Sequence, residues 1–125
     1  MNEQVEHPRR GASVPTVTAC RGCCCGTERA YPGVDHIAQL DRLRHLIAGQ
    51  ARLRVSDCLG PCERGNVLVL SPSTLGRRRG GRPVWLGHVL DDGAIEDIAQ
   101  WVHDGGPGIS EPPDTVELYQ FRPDV

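Results

Sequence analysis

Apolar positions along the chain fall in short clusters whose period changes from two to three or four and back. Thr16, Val17 and Thr18 are β-branched neighbours and predict a first strand over 15–19. Asp35 is placed to cap a helix running to about 48, with Ile37, Leu40, Leu43 or Arg44, and Ile47 at helical spacing and Gly49 as the stop. Leu53 and Val55 then alternate with Arg52 and Arg54, the pattern of a half-buried strand near a sheet edge. Asn66-Val67-Leu68-Val69-Leu70 reads as a continuous apolar run of strand length, as a central strand would be. After a Ser/Pro/Gly-rich loop carrying Arg77, Arg78 and Arg79, residues 84–89 predict another strand, so the two make a hairpin. Asp91 or Asp92 caps a second helix with Ile95, Ile98, Ala99 and Val102 on one face, and the Gly105–Gly106–Pro107–Gly108 run ends it.

The predicted order is β-α-β, a loop, then β-β-α. A strand, helix and strand joined this way put the two strands parallel, through a right-handed crossover. With the hairpin and last helix added, the expected class is α/β, a thioredoxin-like β-α-β-β-β-α arrangement with a mixed four-stranded sheet and two helices. Residues 1–14 read as a disordered leader, 15–105 as the domain and 106–125 as a Pro/Gly-rich tail. Val116, Leu118, Tyr119 and Phe121 give that tail the means to pack back on the domain or across an interface. The arginine run reads as a solvated loop tip, with docking of an acidic partner as the sharper alternative.

Composition narrows the function classes. A chain of 125 residues holds one small domain, in which a bound cofactor matters for stability. All fourteen basic residues are Arg, and the net charge of −2 gives no reason to expect nucleic-acid binding. No stretch has transmembrane length, and the leader lacks the apolar run of a secretion signal, so the expected address is cytoplasmic and not at a membrane. Reduced thiols in that compartment read as metal or redox groups before disulfides.

The six cysteines carry the candidate chemistry. Cys20, Cys23, Cys24 and Cys25 follow the first strand, and Cys58 and Cys62 follow the second. Two loops leaving the same end of neighbouring parallel strands bring thiolates together at that end. Such soft ligands select zinc, copper(I) or an iron–sulfur cluster. A two-iron cluster needs two cysteines per iron, and Gly22, Gly26, Gly60 and Gly65 allow backbone N–H groups close to its sulfurs. Arg21 and Arg64 flank the two loops and would offset the charge of an anionic cluster. Two other uses remain open at this point. A zinc-stabilised interaction module would use a short knuckle such as Cys20/Cys23, and a dithiol oxidoreductase would use the C-x-x-C formed by the same two residues. The five histidines show no Rieske-type pairing and read mostly as surface residues, with His88 on a strand; Trp85 and Trp101 read as core or interface.

The runs Cys20-Arg21-Gly22-Cys23-Cys24-Cys25 and Cys58-Leu59-Gly60-Pro61-Cys62-Glu63-Arg64-Gly65 with the apolar strand after them resemble the thioredoxin-like [2Fe–2S] ferredoxins, a family related to the thioredoxin-like iron–sulfur subunit of respiratory complex I. Pro83-Val84-Trp85-Leu86-Gly87-His88-Val89 is similar to the family's next strand, and the likeness spans about residues 16–102. The resemblance implies a one-electron carrier, not an enzyme, with a [2Fe–2S] cluster held by Cys20, Cys25, Cys58 and Cys62. Cys23 and Cys24 have no counterpart in the family pattern; the assignment of Cys25 rests on spacing alone, with Cys24 or Cys23 as the alternative in its place. The resemblance implies redox partner proteins as donor and acceptor, and it admits a homodimer.

Overall fold

A computed structural model of the chain describes residues 4–6, 14–21, 33–56, 66–89 and 91–122. Its elements are β1 (Gln4–Glu6), β2 (Thr16–Cys20), α1 (His36–Ile47), β3 (Arg52–Ser56), β4 (Leu68–Ser71), α2 (Thr74–Arg78), β5 (Val84–Leu86), α3 (Asp92–His103), α4 (Asp114–Glu117) and β6 (Gln120–Phe121). The class is α/β, with one mixed sheet in the order β1-β3-β2-β4-β5-β6. β2 and β3 are parallel, and every other pairing is antiparallel.

The expected four strands and two helices are therefore six and four among the described residues. The additions are short and lie in segments with weak periodicity. β1 comes from the stretch read as a disordered leader and pairs with β3, so β3 is not the sheet's edge. β6 and α4 come from the tail, where Val116 is fully buried and Tyr119 half-buried. Leu118, expected to pack with them, is exposed. The predicted strand over 84–89 stops at Leu86, and His88, placed on it by sequence, follows it in a left-handed conformation with φ 55°.

Period-two alternation separates the two faces. Val17, Ala19, Leu53, Leu68, Leu70 and Leu86 join Leu43 and Ile47 of α1 and Ile95, Ile98, Ala99, Trp101 and Val102 of α3 in one core, so both long helices cover the same face. The other face carries a smaller cluster of Cys20, Val67 and Val69 with Trp85 and Phe121 against it. Register lines up Thr18, Val69, Trp85 and Phe121 across four strands, and the two rings meet edge-on at 6.2 Å.

Both helices start where the sequence places their caps. Asp35 accepts from the Ala38 N–H at 3.0 Å, and Asp91 accepts from the Ala94 N–H at 2.7 Å. Asp91→Ala should cost about 1 kcal/mol of stability, read as a lower urea midpoint at unchanged slope.

The phase of α1 differs from the reading. Its buried residues are His36, Gln39, Leu43 and Ile47, whereas Ile37 is 78% exposed. Both stripes share Leu43 and Ile47. The polar pair at the first turn is buried because hydrogen-bonding partners wait for it at the end of the sheet.

Candidate metal centre

The register of the parallel pair decides what lies at the cysteine end. Cys20, the last residue of β2, stands opposite Ser56, the last residue of β3. Past that rung the backbone is still held on both sides. The Cys20 N–H donates to the Val67 carbonyl at 2.9 Å, and the Arg21 N–H donates to the Ser56 carbonyl at 2.8 Å. Cys20 is 2% exposed and packs with Val67 and Val69 on the face away from the helices. Among the candidate ligands it alone is described. Cys23, Cys24, Cys25, Cys58 and Cys62, with the glycines and Arg64 of the two loops, lie outside the described residues.

Beside this strand end sits a buried polar cluster that the sequence reading did not find. Asn66 is fully buried and left-handed, with φ 46°. Its side-chain amide donates to His36 Nδ1 at 3.0 Å and reaches Gln39 Oε1 at 3.5 Å. Arg21 donates to the same Gln39 oxygen at 3.1 Å and to the Cys20 carbonyl at 2.9 Å. The first turn of α1, the residue leading into β4 and the residue after Cys20 are thus tied together. His36, read from sequence as a surface residue, is a member of this network, since burial of Asn66 and Gln39 leaves polar atoms that need partners. The usable signal was the i, i+3, i+7 spacing of His36, Gln39 and Leu43, which a hydrophobic count passes over.

Asn66→Ala should cost on the order of 1–3 kcal/mol in chemical denaturation, because it strands buried acceptors. Asn66→Gly should remain well below wild type. Glycine suits the left-handed backbone but still lacks the amide, so full recovery would show that conformation alone matters.

A cleft of about 390 Å³ opens beside the network, lined by Arg21, His36, Ile37, Leu40, Asp41, Arg44 and Val55. Arg44 pairs with Asp41 at 3.1 Å on its wall. Among the described residues, no group of three or more His, Cys, Asp or Glu side chains is placed to hold a metal ion. Trp101 is core, with its indole N–H donating to the Ser110 carbonyl at 3.0 Å, whereas Trp85 is half-buried on the opposite face. No described helix is long and apolar enough to cross a membrane. No protein-family model, curated protein or solved structure matches the chain.

Proposed function

We propose that the chain is a one-electron carrier of the thioredoxin-like ferredoxin type, with a [2Fe–2S] cluster held by Cys20, Cys25, Cys58 and Cys62. The observation that carries the reading is the parallel rung joining Cys20 to Ser56. In the sequence Cys58 follows Ser56 by two positions. Neighbouring strands are about 4.8 Å apart, and Cys20 and Ser56 share one rung, which supports a shared site for thiols that follow these two strand ends. The order β3-β2-β4-β5, with only its first pair parallel, supports the thioredoxin-like part of this reading.

The residues present suit the group. A soft thiol ends a strand whose backbone is held on both sides, and Arg21 provides positive charge next to it. When bound, the cluster supplies one-electron exchange between ferric and ferrous iron. Cys20, Cys25, Cys58 and Cys62 would hold the irons, and Arg21, Gln39 and Asn66 would keep the Cys20 backbone from shifting between oxidation states. Substrate chemistry belongs to redox partner proteins.

The dithiol reading has less support. A redox C-x-x-C gains its low thiol pKa from a helix starting at the motif. In the sequence, Cys24 to Pro32 do not read as a helix starting there, and the dithiol leaves Cys58 and Cys62 without a role. The full chain purified without oxygen should be brown and should bleach on addition of dithionite. A colourless protein that reduces insulin disulfides would favour the dithiol instead.

A further inference from the structure

At the opposite end of the sheet from Cys20 the chain builds a second surface. Ser71 closes β4 opposite Thr16, four residues before Cys20 along β2, or about 13 Å away. α2 follows directly, capped by Ser73, whose hydroxyl accepts from the Gly76 N–H at 3.0 Å. The arginine run expected at a solvated loop tip sits on this helix and on the turn closing it.

That turn is fixed by backbone touching backbone. A Cβ on Gly76 would come within 2.4 Å of the Pro107 carbonyl oxygen, and one on Gly108 within 2.2 Å of the Gly76 carbonyl oxygen. The Gly81 N–H donates to the same Gly76 oxygen at 2.8 Å. α2 is therefore seated on the turn that ends α3. From this seat Arg77, Arg78, Arg79 and Arg82 are all exposed. Their guanidinium groups make no hydrogen bond or ion pair among the described residues. Four like charges are thus concentrated within six positions of a chain whose net charge is −2.

Next to them lies a cleft of about 510 Å³. Arg82, Pro83, Pro107, Ile109 and Pro112 line it and Trp101 lies at its base. The Ser110 hydroxyl is buried nearby without a hydrogen-bond partner, and Glu111 adds one carboxylate to the wall.

We propose that this end of the molecule docks an acidic segment of a partner protein, with an apolar side chain of that segment in the cleft and its carboxylates on the arginines. Charge complementarity selects the acidic partner. The spread of the charges selects a chain over a small anion. Arg77 and Arg78, successive residues of α2, diverge by about 100°, and Arg79 and Arg82 follow on the turn and beyond it, so one compact anion cannot reach them all. An apolar cleft beside the charges, in a chain of negative net charge, favours a peptide over a nucleic-acid backbone. The surface is separate from the cysteine end and does not rest on the use made of the cysteines.

The test uses the full chain and a fluorescent peptide of alternating Glu and Asp around one central Leu, followed by anisotropy at low and moderate salt. Arg78→Glu/Arg79→Glu should weaken binding about tenfold or more with an unchanged melting temperature. Replacing the peptide's Leu by Ser should weaken it at both salt concentrations. The proposal is overturned if the peptide does not bind at low salt, or if charge reversal leaves its affinity unchanged. It is also overturned if a DNA duplex or an anionic phospholipid vesicle binds the chain more tightly than the peptide.

Discussion

Cys20→Ser should leave the anaerobically purified protein close to colourless. The position is 2% exposed and held by its own N–H bond to the Val67 carbonyl and by the Arg21 N–H bond to Ser56, so a serine there cannot move aside to let another thiol take its place. A hydroxyl is a poor ligand for iron beside thiolates. The loss should exceed the roughly 10–100-fold fall in metal affinity that follows disturbance of a residue outside the ligand set. Cys25→Ser, Cys58→Ser and Cys62→Ser should behave alike, while Cys23→Ser and Cys24→Ser keep the chromophore. If Cys24→Ser removes the colour and Cys25→Ser does not, the fourth ligand is Cys24. Retention of colour by Cys20→Ser would remove β2 from the site altogether.

The second large effect is on stability. Trp101→Ala should cost about 3–5 kcal/mol, because the ring is 2% exposed within the core shared by α1, α3 and the sheet. Trp101→Phe should be milder, since it keeps most of the packing and loses the indole bond to the Ser110 carbonyl. Trp85→Ala should cost less than Trp101→Ala, as its ring is half-buried and meets Phe121 at the rim of the second cluster. Urea denaturation of the three variants orders them, and equal losses at the two tryptophans would contradict the two-face description.

Much of the positioning scaffold was legible because its signals are local. Asp35 and Asp91 each sit just before an apolar stripe, and both act as the caps their position suggests. The strands beginning at Thr16, Arg52 and Leu68 follow from a β-branched run, an alternation and a continuous apolar run in turn. Elements whose stability comes from a distant neighbour were not legible. β1 has three residues and exists as a pairing with β3, while β6 has two and rests on β5. α2 depends on Gly76 meeting the turn at Pro107 and Gly108, a contact that no periodicity encodes. The phase of α1 was misread for a related reason. Ile37 is the more apolar choice, but His36 and Gln39 have Asn66 and Arg21 to bond with, and satisfied polar burial outweighed one isoleucine left in water.

Of the site itself, the strand ends were legible and the network beside them was not. Adjacent parallel strands are implied by the strand–helix–strand order, and Cys20 and Ser56 stand on one rung. The sequence shows Arg21 only as a charge beside the cysteine loop. Its bonds to Gln39 and the Cys20 carbonyl, which tie α1 to the strand end, depend on the tertiary fold.

Metal and acid-labile sulfide analysis of the full chain, purified without oxygen, tests the central claim most directly when joined to electron paramagnetic resonance of the dithionite-reduced sample. The account predicts iron and sulfide in equal amounts, and a paramagnetic signal that appears only on one-electron reduction. Zinc as the sole bound metal, with no sulfide and no signal in either state, would contradict it.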